Sequence, residues 1–295
     1  FFYIFLYVFN FKQLIMLKTN KRILIIISFL TILFTITSLQ SFAQRKKNKS
    51  ADALQFELTD KMISMLKFRS VGPAAYSGRI SDLAVNPNNT SEYYVGVAAG
   101  GLWKTINHGT TFKPIFDNYG SYSIGCISMD PNNSNVLWVG TGENNNQRSV
   151  AYGDGVYKST DGGKSWENKG LKKSEHISKV IVDPNNSDIV YVAAYGPLWS
   201  DGGDRGVYKT VDGGEKWERV FFISDQTGIA DLIMDPKDSK VMYATAHQRR
   251  RHVFTYVGGG EESAIYKTVD GGKTWQELKS GLPSGKMGRV GLAIS

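Results

Sequence analysis

Residues 159–166 read Ser-Thr-Asp-Gly-Gly-Lys-Ser-Trp, and this stretch decides the fold because it recurs along the chain. Close copies occupy residues 210–217 and 268–275, and a divergent copy occupies residues 105–112. In each copy an Asp or Asn can hydrogen-bond the backbone N–H groups of its own turn, Gly permits positive φ, and an aromatic residue can pack under the hairpin. The chain is therefore a repeat protein.

The divergent copy keeps the chemistry of the turn with other residues. It has Asn107 in place of the Asp, Gly109 as the second Gly and Phe112 in place of the Trp. A Gly-x-aromatic-Lys-Ser/Thr segment, or a close variant of it, precedes each of the four turns, and its alternating polarity predicts a half-buried strand. With four strand-like segments over about 40–50 residues, each unit has the period of a β-propeller blade.

The Ser/Thr-x-Asp-Gly-Gly-x-x-Trp turn resembles the Asp-box, or BNR repeat, of sialidases, sortilin-type receptors and xyloglucan-degrading glycosidases. The likeness extends over residues 66–295 and is to secreted bacterial BNR-repeat proteins, often labelled glycosyl hydrolase or sortilin N-terminal domain. It implies an all-β fold, a β-propeller of four-stranded blades, with each Trp on an outer-strand position beside its Asp-box. In those families Asp-boxes lie away from the active site, which implies a structural role for Asp161, Asp212, Asp270, Trp166, Trp217 and Trp275.

The repeats predict four blades and the beginning of a fifth. Because four blades and a fraction do not normally close a ring, and an open arc exposes unpaired strand edges, we expect residues 66–295 to form a partial β-propeller. The partner expected for this partial propeller is therefore the set of remaining blades in the same, longer chain. The predicted blades span residues 77–116, 122–171, 176–222 and 227–278, and the fifth begins at residue 287.

The start of the chain predicts export. Residues 1–15 contain no Met and precede Met16, so we interpret them as a non-native leader. Residues 16–43 combine basic residues, an apolar run and small residues before a cleavage point, which is typical of a signal peptide. The alternative is a transmembrane anchor, although the apolar run is at the short limit for a span. Residues 44–65 are a linker, and we expect a periplasmic, cell-surface or extracellular protein that meets the membrane only through its signal segment.

Charge and residue types argue against several function classes. The formal net charge is +8, but basic and acidic residues balance from residue 50 onward, so no nucleic-acid partner is expected. The four His residues lack the spacing of metal ligands, and we expect neither a metal nor another cofactor. Cys126 falls in an apolar strand pattern and is predicted to be a small buried hydrophobic residue.

A ligand site is expected on the long loops that join the second and third strands of each unit. With strands A to D counted outward from the axis, the B–C and D–A loops share the face that usually binds ligands in propellers. Glu143, at the first loop position after a strand, is the candidate catalytic residue. Aromatic rings can stack on sugars while amides and Arg recognise hydroxyl and anionic groups. The candidate ligand-binding residues are Arg79, Asn144, Arg148, Tyr152, Trp199, Arg205, Arg249 and Arg250.

Two functions fit these residues. The first is binding of a glycan or protein ligand on the face formed by the B–C and D–A loops. The second is glycoside hydrolysis, which requires two carboxylates about 5.5 Å apart for retention or about 6.5–9.5 Å apart for inversion. Asp154, Asp201 or Glu261 could face Glu143, or the second carboxylate could lie beyond residue 295. We favour binding because no complete catalytic pair can be named. Arg–acid pairs lining the mouth of the propeller channel would support binding or a structural role.

Overall fold

The computed structural model describes residues 78–145, 150–283 and 285–295. The predicted leader, signal peptide and linker lie outside the described residues, as does Arg148. Within the described ranges the regular structure is β-strand apart from one short 3-10 turn, Lys172–Ser174. No helix in these ranges is long and apolar enough to cross a membrane. The prediction of an all-β fold is confirmed for the described ranges.

The strands form successive antiparallel sheets whose strand order follows the chain. The first sheet contains β1 (Ile80–Val85), β2 (Tyr93–Val97), β3 (Gly101–Thr105) and β4 (Lys113–Pro114). The second contains β5 (Ile124–Asp130), β6 (Asn133–Thr141), β7 (Val156–Ser159) and β8 (Glu167–Asn168). The third contains β9 (Ile177–Asp183), β10 (Asn186–Ala194), β11 (Gly206–Thr210) and β12 (Glu218–Phe221). The fourth contains β13 (Thr227–Met234), β14 (Met242–Arg251), β16 (Ile265–Thr268) and β17 (Gln276–Glu277), and β15 (Tyr256–Gly258) pairs with the end of β14.

The core lies between successive sheets, and the inner sheets are buried on both faces. Adjacent side chains of a strand point to opposite faces. On β6, accordingly, Val139 packs in the apolar cluster shared with the first sheet, while Trp138 packs in the cluster shared with the third. A third cluster joins Tyr191 and Val207 of the third sheet to Leu232 of the fourth. This repeated packing explains why apolar residues follow one another within the second strands.

The first strands of successive sheets lie side by side. Asp82 on β1 accepts a hydrogen bond of 3.1 Å from the Ile127 N–H on β5. The same contact recurs after the fourth sheet, where Asp231 on β13 accepts a bond of 2.9 Å from the Leu292 N–H. The segment around Leu292 is therefore hydrogen-bonded to the first strand of the fourth sheet in the same way that β5 is hydrogen-bonded to β1.

The Asp of each full copy accepts hydrogen bonds from residues three or four positions later in its own turn. The Asp161 carboxylate accepts from the Lys164 and Ser165 N–H groups, each at 2.9 Å, and from the Ser165 hydroxyl at 2.6 Å. These bonds from Ser165 hold the pKa of Asp161 below its usual range. Gly162 and Gly163 have φ of 71° and 84°, a region that L side chains rarely adopt. Equivalent Asp contacts occur at Asp212 and Asp270.

The Trp of each full copy lies directly before the last strand of its sheet. The indole N–H of Trp166 donates to the Ile115 carbonyl at 3.1 Å, and that of Trp217 donates to the Lys169 carbonyl at 2.7 Å. Both acceptors belong to the end of the preceding repeat. Trp275 instead donates to the Gly272 carbonyl within its own turn, at 3.1 Å. The indoles thus support the turns, and two of them also tie neighbouring repeats together.

Candidate functional site

The sheet register brings two kinds of chain segment to one end of each sheet. The start of a first strand pairs with the end of the second, as in Ile80 with Val97 and Ile124 with Thr141. Residues just before first strands and residues just after second strands are therefore neighbours. We call this end of the sheets the loop end.

Glu143 and Arg79 meet at the loop end. The Arg79 guanidinium donates through Nε to the Glu143 Oε1 at 2.8 Å and contacts the same oxygen through Nη2. The Glu143 side chain is 2% exposed, whereas that of Arg79 is 48% exposed, so the arginine covers a buried carboxylate. Two candidate residues from neighbouring sheets thus form one ion pair.

Gly142 determines how the chain enters this site. Its φ is 86°, and a Cβ at this position would lie 1.8 Å from the Glu175 carbonyl oxygen. Only glycine fits such an approach without displacing the backbone. The N–H of Glu143 then donates to the Ala151 carbonyl at 2.8 Å, which closes the base of the loop. The backbone therefore positions Glu143.

Asn144 is buried and engaged with backbone. Its side-chain amide donates to the Gly125 carbonyl at 3.2 Å and to the Ser178 carbonyl at 3.1 Å. Both acceptors lie in irregular positions of first strands, β5 and β9. Asn144 therefore joins the second and third sheets, and this geometry describes a positioning residue.

Arg249 lies at the end of β14 in an aromatic pocket. Its guanidinium stacks 3.7 Å from the centre of the Tyr195 ring, and the Tyr195 hydroxyl contacts Nδ1 of His247. Arg249 is 1% exposed, and none of its three guanidinium nitrogens has a hydrogen-bond partner. Burial lowers the pKa of Arg249, and the nearby Arg289 charge adds to this effect.

Arg205 is also buried, but its donors are occupied. It donates to the Gly202 carbonyl at 2.9 Å, the Tyr195 carbonyl at 2.9 Å and the Ser200 carbonyl at 3.0 Å, and it also contacts the Pro197 carbonyl. These acceptors all belong to the loop between β10 and β11. The role supported by this geometry is to hold that loop in shape.

The other candidates lie nearer the solvent. Arg250 donates to the Asp201 carboxylate at 2.9 Å, which links the β10–β11 loop to the end of β14. The side chains of Tyr152 and Trp199 are 73% and 55% exposed. They are therefore accessible aromatic surfaces on the loop end, of the kind that stacks on sugar rings.

The histidines of the loop end are neutral at ordinary pH. Burial, with the charge of Arg249, lowers the pKa of His176 to about 3. Burial also lowers the pKa of His247 to about 4, although a hydrogen bond with the Gly258 backbone opposes the shift. The positive charge of this region therefore comes from arginine. Among the residues of the described ranges, no cluster of His, Cys, Asp and Glu is arranged to hold a metal ion.

The acids that could accompany Glu143 have other contacts. Asp154 accepts from the Tyr157 hydroxyl and, at 3.4 Å, from the Thr141 hydroxyl. Asp201 pairs with Arg250, and Glu261 lies 3.5 Å from the Lys286 ammonium. The contacts of these acids are thus with Arg, Lys and hydroxyl groups.

Tyr195, His247 and Arg289 are not among the candidates named from sequence, yet they surround Arg249. Nη1 of Arg289 lies 3.4 Å from Oδ1 of Asn145, across the loop end. Tyr195 follows the end of β10 just as Gly142 follows the end of β6. Repeat alignment of the second-strand ends is the signal that could have selected Tyr195.

The recurring turns and the sheets they join agree with comparisons to known proteins. A family model described as sortilin, neurotensin receptor 3 (Sortilin-Vps10) matches residues 154–287. The chain is an Asp-box (BNR) repeat protein. The matched residues run from before the second Asp-box of the described chain to the segment after the fourth sheet.

Curated relatives of this Asp-box protein include xyloglucanases. Xyloglucanase Xgh74A of Acetivibrio thermocellus is 22% identical over 246 residues, which is 74% of this chain and 27% of that protein. A xyloglucanase of Hypocrea jecorina is 22% identical over 232 residues, covering 68% of this chain and 26% of its own length. The chain therefore spans about a quarter of the length of these relatives.

Solved structures support the fold. A crystal structure of an ancestral GH74 enzyme superposes with a TM-score of 0.55 at 24% identity, covering 70% of this chain and 26% of that one. The GH74 enzyme of Niastella koreensis superposes with a TM-score of 0.50 at 23% identity, covering 68% of this chain and 29% of that one. At these identities the likeness concerns the arrangement of strands.

Proposed function

We propose that the four sheets are consecutive blades of a β-propeller, that the protein is exported, and that it binds a glycan at the loop end. The side-by-side first strands and the repeated Asp82 and Asp231 contacts support the propeller arrangement. The export signal of residues 16–43 supports the location. The names of the xyloglucanase relatives support a glycan ligand.

The ion pair of Arg79 with Glu143 is the observation that favours binding over hydrolysis. A catalytic acid must be free to donate a proton to the leaving-group oxygen. A catalytic nucleophile must face a second carboxyl group across the scissile bond. Glu143 is instead buried beneath a guanidinium that occupies one of its oxygens. This arrangement suits a pair that shapes a binding surface.

Exposed aromatic rings supply the sugar-facing part of the proposal. Trp199 lies on the β10–β11 loop next to Asp201, which is tied to Arg250. Tyr152 lies on the loop after β6 that also carries Glu143 and Asn144. Rings held on loops of neighbouring sheets provide flat apolar faces for sugar stacking, and the nearby Arg and amide groups provide donors for hydroxyl oxygens.

The test uses the secreted product of the complete gene with a panel of neutral and acidic polysaccharides. We expect binding by affinity electrophoresis without release of reducing sugar, and weaker binding by Trp199→Ala. Phe112→Ala is the matched control, because Phe112 is a half-exposed aromatic residue in the turn after β3, at the opposite end of a third strand. Reducing sugar that disappears in Glu143→Gln would establish glycoside hydrolysis instead. Absence of binding to every polysaccharide would refute the glycan proposal.

A further inference from the structure

The guanidinium of Arg249 is a buried charge without a partner. The side chain is 1% exposed, and Nε, Nη1 and Nη2 have no hydrogen-bond acceptor. An arginine remains protonated in proteins and carries five N–H donors. Removing those donors from water without replacing their acceptors is unfavourable, so such a group calls for an explanation.

Arg205 shows how this fold satisfies a buried structural arginine. It is equally buried, and four backbone carbonyls from its own loop surround its guanidinium. Arg249 has the face of the Tyr195 ring at 3.7 Å instead. Stacking on an aromatic face orients a guanidinium and leaves its N–H edge free to bind an acceptor. The two arginines are therefore built for different purposes.

The charges around Arg249 favour an anion. Arg289 lies close enough for its charge to act on Arg249. Glu143 is the carboxylate whose charge acts on Arg249, and Arg79 already pairs with that carboxylate. His176 and His247 are uncharged, as shown above. Arg249 and Arg289 thus leave an excess of positive charge at the loop end.

A weak contact stands at the rim of this region. Arg289 is exposed, and its Nη1 donates to the Asn145 Oδ1 at 3.4 Å, near the limit for a hydrogen bond. A hydrogen bond from a charged guanidinium to an anion is stronger than one to a neutral amide oxygen. Exchange of the Asn145 oxygen for an anion would therefore strengthen the hydrogen bond of Arg289.

We propose that Arg249 and Arg289 form an anion subsite for a charged substituent of the glycan, either a carboxylate or a sulfate ester. The inference rests on the proposed glycan-binding function and adds that the ligand is acidic. Guanidinium groups recognise both anions through paired N–H donors, so the shared chemistry is an oxyanion with two or more acceptor oxygens. The Tyr195 ring orients Arg249 by stacking, and Arg289 supplies a second guanidinium whose charge acts on the same region.

Paired ligands test the subsite. A uronic-acid oligosaccharide is compared with its methyl ester, and a sulfated oligosaccharide with its desulfated form, by titration calorimetry. We expect the preferred acidic form to bind about tenfold or more tightly than its neutral counterpart. The arm that shows this preference identifies the anion. Arg249→Met abolishes the preference, and Arg219→Met retains it, because Arg219 also stacks on an aromatic ring but lies on β12.

The outcomes separate the subsite from the proposed function. Equal binding of acidic and neutral forms by the wild-type protein overturns the subsite and leaves glycan binding in place. Absence of binding to all four oligosaccharides and to the polysaccharide panel overturns both. Thermal unfolding without ligand gives a second measurement: we expect Arg249→Met to melt at the same or a higher temperature than wild type, because it removes an unpaired buried charge. A clearly lower melting temperature would mean that contacts within the folded protein already stabilise the Arg249 charge, which would overturn the subsite.

Discussion

The ammonium of Lys158 on β7 donates a hydrogen bond of 3.0 Å to the carbonyl of Gly213, in the Asp-box of the next sheet. The same ammonium lies 5.0 Å from the centre of the Trp138 ring. Lys104 and Lys209 repeat this arrangement with the carbonyls of Gly162 and Gly271. The lysine before each of the first three turns is therefore a link between neighbouring repeats, which explains its recurrence in the strand before the Asp-box.

Lys158→Met tests this link. Met keeps the apolar contact with Trp138 but loses the charge and the bond to Gly213, so we expect a loss of about 1–2 kcal/mol in the free energy of unfolding. Urea denaturation followed by tryptophan fluorescence measures it. Lys273→Met, at an exposed Asp-box position, is the control and should unfold like wild type. Identical midpoints for both variants would contradict an interface role for Lys158.

Asp161→Asn tests the Asp-box carboxylate through its pH dependence. Because hydrogen bonds from Ser165 hold the pKa of Asp161 below its usual value of 3.8, the stabilisation is fully present above that pH. It is lost as the pH falls from 3.8 toward the lower pKa of the folded state. We expect the variant to be less stable at pH 7 and to lose less stability between pH 5 and pH 2. Parallel melting curves of variant and wild type across this range would refute the assignment.

Asn144→Ala tests whether this residue joins two sheets. The substitution removes the donors to the Gly125 and Ser178 carbonyls, and we expect a loss of about 1–3 kcal/mol in unfolding free energy. Chemical denaturation provides the value. Asn145→Ala is the matched control, because the Asn145 side chain makes one long contact, with Arg289. We expect this substitution to change the free energy of unfolding by no more than about 0.5 kcal/mol. A variant as stable as wild type would remove the positioning role of Asn144.

Cys126 should be inert in the folded protein. The thiol lies in the cluster between the second and third sheets and is 1% exposed, and burial raises its pKa to about 12. Since the thiolate is the reactive form, a disulfide reagent at pH 8 should not label the native protein but should label one thiol after denaturation. Rapid labelling without denaturant would show that the cluster opens locally.

Much of the fold could be predicted from local chemistry. The Asp-Gly-Gly turns and the alternating segments before them each depend on residues a few positions apart. The prediction of four-stranded repeats is therefore confirmed, together with the resemblance to Asp-box proteins. The arrangement of the sheets as blades of a ring, and the number of blades, remain predictions.

The roles of the candidate site residues were harder to predict from the sequence. Arg205, directly before a third strand, and Arg249, near the end of a second strand, were both predicted to bind ligand, yet carbonyls occupy the donors of Arg205 and none contacts those of Arg249. Asn144 reads as a sugar-binding amide, but its donors are directed at backbone. Burial and the presence of acceptors distinguish these roles, and neither is encoded in residue type.

The sequence by itself determined the repeat, the strand pattern and the Asp-box turns, because their hydrogen bonds connect residues within one turn or hairpin. Only the tertiary structure decided that Glu143 meets Arg79, which is 64 residues away in the chain, and that Arg289 reaches Asn145 over 144 residues. Such pairs depend on how successive sheets are placed against one another. That placement comes from packing between whole sheets, which no short segment of sequence encodes.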